Sequence, residues 1–171
     1  VAQGVELELV SLDWLKQLFE LPMDWPGVFT TGATMANFVG LAAARQWWGE
    51  QHGADAARDG MAGLPPVPVF AGGFVHASDR KVCGMLGIGR DRVRVLARDA
   101  IGRLDLAALE NELRALHGAP AILIGSAGEV NAGEFDPIDA MADLADRYNA
   151  WLHVDGAFGL FARLSPRTSH L

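Results

Sequence analysis

The sequence predicts an α/β fold with a largely parallel sheet. Two observations support this prediction: short apolar segments alternate along the chain with segments of helical periodicity, and the 171 residues are enough for one compact unit. Half of the residues are hydrophobic and a fifth are charged, a balance typical of folded rather than disordered proteins.

Five short apolar segments are predicted to form the strands. They are residues 27–30, 67–71, 93–96, 121–124 and 151–155. Residues 67–71 are typical of a buried strand, whereas residues 93–96 alternate between apolar and polar side chains, as in a strand with one solvated face.

Three segments with apolar residues at helical spacing are predicted to form the first helices. They are residues 5–21, which end before Pro22, residues 35–48 and residues 78–86. Residues 49–66 are polar and contain both Gly and Pro, so they are predicted to form a long loop.

Two later helices are predicted from the aspartates that precede them. Asp105 is expected to cap a helix whose apolar face consists of Leu106, Leu109, Leu113 and Leu116. Asp136 is expected to cap the next helix, where Pro137 would occupy the first helical position without losing a hydrogen bond. The expected buried face of that helix consists of Ile138, Met141, Ala142, Ala145 and Tyr148.

Charge, hydropathy and cysteine content limit the class of protein. With 14 basic and 21 acidic residues the net charge is −7, which argues against nucleic acid as the main partner. No apolar stretch approaches the ~20 residues that span a bilayer, and the N-terminal residues lack the pattern of a signal peptide. Cys83, the one cysteine, is predicted to be a buried thiol in a reducing compartment. We therefore predict a cytoplasmic protein that binds neither nucleic acid nor a membrane.

The turn at residues 30–37 is the first candidate binding segment. Ligands of open α/β sheets bind beyond the carboxyl ends of the strands. Gly32 and Ala33 would let a ligand approach the backbone, and Thr34 can either cap the helix or donate its hydroxyl. The free amides and the dipole at this helix start favour a phosphate, although a Gly followed by a capping Thr is also ordinary at a helix start.

His76 and Asp155 are the other candidates, and both allow structural interpretations. His76 could cap or pack at a helix start, or its ring could stack on a heteroaromatic cofactor. Asp155 ends an apolar strand, where a carboxylate is costly unless it is paired or functional. It could pair with Arg163, share a metal with His153 on the same side of the strand, or bond a protonated pyridine nitrogen. Because no third ligand is suggested, we predict no metal site.

In their order and spacing, these segments resemble one enzyme family. The matching blocks are residues 27–37, 76–78, 131–138 and 151–159, of which the last is the most specific. The chain resembles the group II decarboxylases that depend on pyridoxal phosphate (PLP), which include the aromatic-amino-acid and glutamate enzymes. The resemblance implies the large domain of a fold-type I PLP enzyme, with a mostly parallel sheet, helices on both faces, PLP as the cofactor and a homodimer when full length.

The resemblance also implies roles for individual residues. Ala33 and Thr34 would bind the cofactor phosphate, and His76 and Ala157 would pack against opposite faces of the pyridine ring. Asp155 would bond the ring nitrogen and raise its pKa, and a cationic ring is the electron sink that accepts the pair left by departing CO2. His76 and Asp155 are therefore the predicted catalytic residues.

Some positions depart from the family pattern. The residues Met35, Glu129, Val130 and Gly156 stand where the family usually has a glutamate, two threonines and an alanine, respectively. Neither lysine of the chain, Lys16 or Lys81, matches the family's Schiff-base lysine. We therefore expect residues 1–171 to be a partial PLP-binding large domain that lacks the N-terminal segment, the Schiff-base lysine region and the C-terminal small domain, and that is inactive alone.

The predicted function of the full-length protein is decarboxylation of a small-molecule substrate, an L-amino acid, to an amine. Another fold-type I activity, that of an aminotransferase or a C–S lyase, is an alternative because the same aspartate and stacking residues serve it. A non-catalytic binding or assembly module is a further alternative, suggested by the missing lysine.

Overall fold

A four-stranded parallel sheet forms the centre of the protein, which is described over residues 2–168 by a computed structural model. The strands are β1 (Val69–Ala71), β2 (Val93–Val95), β3 (Ala121–Ser126) and β4 (Ala150–Asp155). Their order across the sheet is β2-β1-β3-β4, and every neighbouring pair is parallel, with Phe70 opposite Leu123 and Leu123 opposite Leu152. The carboxyl ends of all four strands therefore lie at the same edge of the sheet.

Helices cover both faces of this sheet. They are α1 (Ala2–Leu18), α2 (Ala33–Glu50), α3 (Ala56–Asp59), α4 (Ala77–Met85), α5 (Leu106–Ala115) and α6 (Ile138–Arg147). Two short 3₁₀ helices, Arg90–Arg92 and Gly159–Leu164, complete the described helical segments. Among residues 2–168, no helix combines the length and the apolar character needed to cross a membrane.

Two apolar cores lie on opposite faces of the sheet. On one face, α2 and α4 pack against β1 and β3 through the buried side chains Leu41, Trp48, Val82, Cys83, Val69 and Ile122. On the other face, α5 and α6 pack through Leu109, Leu113, Met141, Phe70 and Leu123. Because successive side chains of a strand point to opposite faces, the wholly apolar strands of a parallel sheet contribute to both cores. The predicted burial of Cys83 as a free thiol is confirmed.

The predicted cap of α5 is confirmed and can be tested. Asp105 precedes α5, and its carboxylate accepts a hydrogen bond of 3.0 Å from the backbone N–H of Ala108. Asp105→Ala should lower the free energy of unfolding by about 1 kcal/mol, because an amide at the helix start loses its acceptor. Urea denaturation measures this loss. Asp105→Asn is the matched control, since it keeps an acceptor, and a loss as large as that of the alanine variant would contradict the cap.

The strand prediction for residues 27–30 is wrong. The backbone there forms neither a helix nor a strand and pairs with no strand among the described residues, and Val28 and Phe29 are 60% and 46% exposed. Local sequence can favour an extended conformation, but a strand also requires a neighbouring backbone to pair with.

Residues 49–66, predicted to form a long loop, contain one short helix. This helix is α3, and Asp55 caps it.

Two predictions about α6 are also wrong. Asp136 does not cap this helix: its carboxylate accepts a 2.9 Å hydrogen bond from the backbone N–H of Ser126, at the end of β3, and Pro137 precedes the helix without a side-chain cap. Ala142 is exposed, and Leu144 is buried in its place. The bond to Ser126 ties the loop back onto the sheet, and α6 turns the face with Met141, Leu144 and Ala145 towards the core.

Candidate active site

A cavity of about 530 Å³ opens at the carboxyl ends of β1, β3 and β4. Its lining includes all the residues with predicted site roles, namely Ala33, Thr34, His76, Asp155 and Ala157. These residues come from three separate segments: the start of α2, the start of α4 and the end of β4. The fold thus gathers the predicted site residues at the edge where open α/β sheets bind ligands.

The start of α2 offers unpaired backbone donors to the cavity. Gly32 precedes the helix and provides no side-chain cap, so Thr34 lies within the first turn and is not the cap. The backbone N–H groups of Ala33 and Thr34 have no acceptor among the described residues, whereas those of Met35 and Ala36 donate to the carbonyl of Gly32. Unpaired amides at the positive end of a long helix suit an anionic group such as a phosphate.

His76 caps α4 and also lines the cavity. Its Nδ1 accepts a 3.2 Å hydrogen bond from the backbone N–H of Ser78 and lies 2.7 Å from the Ser78 hydroxyl oxygen. The side chain is nevertheless exposed, and it forms part of the cavity wall. The capping interpretation is therefore correct, and it is compatible with a ring that is free to contact a ligand.

Asp155 is held in one orientation at the end of β4. One carboxylate oxygen, Oδ2, accepts a 2.9 Å hydrogen bond from Asn37 Nδ2, and the other accepts a 3.2 Å hydrogen bond from the backbone N–H of Ala157. The alternative of a pair with Arg163 is not observed, because that guanidinium lies 3.8 Å from Glu20 instead. The carboxylate is partly buried and faces the cavity with its orientation set by two donors.

A layer of buried polar side chains lies behind Asp155. His153 Nε2 is 3.1 Å from Asn37 Oδ1, so both His153 and Asp155 contact Asn37 from the same side of β4. Asp79 is fully buried, and neither of its carboxylate oxygens has a hydrogen-bond partner among the described residues. Its nearest basic group is His153 Nε2, at 3.9 Å, which is too far for a hydrogen bond.

Burial controls the charges of this layer. It raises the pKa of Asp79 to about 7, with a further contribution from the negative charge of Asp155. It lowers the pKa of His153 to about 4, although Asp155 acts in the opposite direction. Since both shifts favour the neutral form, the contact between His153 and Asp79 is not an ion pair.

The loop after β3 closes another side of the cavity. The carboxylate of Glu129 accepts hydrogen bonds from the backbone N–H groups of Asn131 and Ala132 and from the side-chain amide of Asn131. These backbone bonds lower the pKa of Glu129. Val130 is 57% exposed at the cavity wall. At a position where the family usually has a threonine, an anionic side chain organises its own loop.

Sequence reasoning missed the polar residues that contact the predicted site residues or lie buried beside them. Asn37 and Ser78 belong to the matching blocks, but no role followed from their positions. Asp79 gave no signal at all, because an aspartate in the first turn of a helix is ordinary. Only the packing of α4 against α2 shows that this particular aspartate is buried.

The features of the cavity suit a phosphorylated heteroaromatic cofactor. Unpaired amides at Ala33 and Thr34 can take the phosphate, the ring of His76 can take a flat face, and the oriented carboxylate of Asp155 can take a cationic ring nitrogen. The α/β fold, with these groups in a cavity at the carboxyl ends of its strands, defines the class of protein: one that binds a phosphorylated heteroaromatic cofactor at this edge of its sheet.

The chain belongs to the pyridoxal-dependent decarboxylase family. The model of the pyridoxal-dependent decarboxylase conserved domain matches residues 2–171. The L-2,4-diaminobutyrate decarboxylase of Rhizobium meliloti (strain 1021) is 36% identical over 163 residues, which is 92% of this chain and 31% of that protein. The predicted family and its cofactor, PLP, are thereby confirmed.

Solved structures agree with this assignment. The glutamate decarboxylase domain of a Vibrio parahaemolyticus diaminobutyrate-pyruvate transaminase and L-2,4-diaminobutyrate decarboxylase superposes with a TM-score of 0.88 at 27% identity, over 99% of this chain and 38% of that one. Oryza sativa TDC with PLP and tryptamine superposes with a TM-score of 0.81 at 30% identity, over 96% and 37% of the two chains. The predicted fold class is confirmed. The chain spans about a third of the length of the relatives it matches.

Proposed function

We propose that the protein containing this chain is a PLP-dependent decarboxylase that converts an L-amino acid to an amine and CO2. The family assignment supports the reaction class. The observation that carries the proposal is the carboxylate of Asp155, which lines the cavity and is held by two hydrogen bonds. PLP, when bound, supplies an electron sink for the pair released when the carboxyl group leaves.

The residues of this chain would bind and orient that group. The amides of Ala33 and Thr34 would hold the phosphate at the start of α2. His76 and Ala157 would enclose the ring between them, and Asp155 would hold a proton on the ring nitrogen. The loop that begins at Glu129 lines the same cavity and would exclude water from one side.

The residue that attaches the cofactor is proposed to lie outside residues 1–171. Lys16 donates to the carbonyls of Met23 and Trp25 and pairs with Asp13, and Lys81 is an exposed residue of α4; neither lines the cavity. This chain covers only 31% of the length of the Rhizobium meliloti decarboxylase, and this low coverage supports the same proposal. Residues 1–171 would then be part of a large domain that is inactive alone.

The full-length protein is further proposed to be a cytoplasmic homodimer. Support for the dimer comes from α1, which exposes the apolar side chains Val5, Leu7, Leu9, Trp14 and Leu18. Exposed apolar surface of this kind is commonly covered by another chain or domain. The cytoplasmic location is supported by Cys83, a buried free thiol.

The proposal is tested on the full-length protein, loaded with PLP and incubated with a panel of L-amino acids. The panel should contain 2,4-diaminobutyrate, glutamate, cysteine sulfinate and tryptophan. We expect a visible absorbance band from the bound cofactor and release of CO2 together with one amine. A keto acid product would show an aminotransferase instead, and a protein without the absorbance band would be a non-catalytic module.

A further inference from the structure

A single buried amide connects the two sides of the candidate site. Asn37 is 4% exposed and lies on α2, one turn after the unpaired amides of Ala33 and Thr34. Its Nδ2 donates to Asp155 Oδ2 at 2.9 Å and to Ser78 Oγ at 3.3 Å, and its Oδ1 lies 3.1 Å from His153 Nε2. Asp155 and His76 both line the cavity, and Ser78 contacts His76.

We propose that Asn37 is a positioning residue that orients Asp155 directly and His76 through Ser78, so that His76 presents an Nε2–H donor to the bound ligand. This inference rests on the proposed function, because it assigns a task to the residues that would surround the cofactor. It concerns two residues, Asn37 and Ser78, that have no role in that proposal.

The direction of each hydrogen bond follows from the chemistry of the groups. A carboxylate can only accept, so the Asn37 nitrogen must face Asp155. The Asn37 oxygen then faces His153, which must donate from Nε2. The second N–H of the Asn37 amide donates to the Ser78 hydroxyl oxygen, which leaves the hydroxyl hydrogen free to donate elsewhere.

The same reasoning places the proton on His76. The Ser78 hydroxyl lies 2.7 Å from His76 Nδ1, and the backbone N–H of Ser78 also donates to this nitrogen. An atom that accepts these bonds cannot carry a hydrogen, so the ring proton is on Nε2. Nε2 has no partner among the described residues and belongs to a side chain that lines the cavity. The chemistry that it recognises is an anionic oxygen, such as a carboxylate.

Close packing surrounds His153, the last residue of this hydrogen-bond network. The imidazole of His153 lies against Gly40, one turn after Asn37 on α2. A Cβ atom at position 40 would come within 2.7 Å of His153 Nδ1 and Cε1. Any larger residue at position 40 would require this buried ring, and with it the bond to Asn37, to shift.

The test is cofactor affinity in a double-mutant cycle on the full-length protein. Apo protein is titrated with PLP for the wild type, Asn37→Leu, Asp155→Asn and the double variant. We expect Asn37→Leu to weaken binding by about tenfold or more, by analogy with the loss of metal affinity when a group that orients a metal ligand is removed. If Asn37 acts through Asp155, the double variant should bind PLP no more weakly than the single variant with the lower affinity. If the fold-loss of affinity in the double variant instead equals the product of the two single fold-losses, the inference is overturned.

A matched control and a second readout separate this role from a merely structural one. Gln46→Leu makes the same kind of change further along α2, where Gln46 bonds Glu50 and Asp55, and should leave the affinity for PLP unchanged.

The second readout is the NMR spectrum of protein with ¹⁵N-labelled histidine, in which the His76→Gln variant assigns the signals. The His76 Nδ1 resonance should be that of an unprotonated nitrogen. Ser78→Ala should shift that resonance.

The outcomes distinguish the inference from the proposed function. A wild-type protein that does not bind PLP would refute the proposed function. Normal wild-type binding with multiplying losses, or a protonated His76 Nδ1, would refute only the positioning role. If Asn37→Leu does not fold, the His76 resonance of the wild type and of Ser78→Ala decides the question.

Discussion

Asp155→Asn should lower kcat of the full-length protein by about 10²–10³-fold, with a much smaller change in KM. The substitution keeps the size of the side chain and an oxygen that can accept from Asn37, but it removes the negative charge. That charge is proposed to hold a proton on the ring nitrogen, and the resulting cationic ring matters most when the electron pair is released. Loss of one preorganised electrostatic partner of a transition state typically lowers kcat by this amount.

The measurement is the steady-state release of CO2 across a range of pH, with stability checked by urea denaturation. Asp146→Asn is the matched control, because Asp146 is an exposed aspartate on α6 outside the cavity lining, and it should keep wild-type rates. A variant at Asp155 that retained more than about a tenth of the wild-type kcat would contradict the proposed role.

Asp79→Asn should stabilise the folded protein at neutral pH by up to about 4 kcal/mol, the free energy that corresponds to a pKa shift of about 3. Burial, together with the charge of Asp155, raises the pKa of Asp79 from 3.8 to about 7. Between these two values the unfolded chain releases the proton while the folded chain keeps it, so wild-type stability falls as pH rises. Above about pH 7 the penalty is constant, and below pH 3.8 it disappears.

Urea denaturation at several values between pH 3.5 and pH 8 measures this difference. The stabilisation by Asp79→Asn should be absent at the acidic end and largest at the alkaline end. Asp91→Asn changes an exposed aspartate and should give a small difference with little dependence on pH. Destabilisation by Asp79→Asn at pH 8 would contradict this prediction and show that the ionised carboxylate is stabilised by a partner, most directly His153 at 3.9 Å.

Local patterns predicted most of the secondary structure and the outer members of the site. Asp105 could be recognised as a cap because the helix that it serves follows it directly in sequence. Asp155 could be placed at the end of a strand because four of the five strand residues before it are apolar. The prediction for residues 27–30 failed for the converse reason, since a strand needs a partner that lies elsewhere in the chain.

The amino-acid sequence alone therefore predicted the α/β fold, the family, and five of the residues that line the cavity, because each depends on short segments in a recognisable order. The tertiary structure alone decided which groups stand behind them. Asn37 and Asp155 are 118 positions apart, and their contact exists only because α2 packs across β4. The burial of Asp79 and the bond from Ser126 to Asp136 are of the same kind, since whether a polar group loses its water depends on what the rest of the chain places against it.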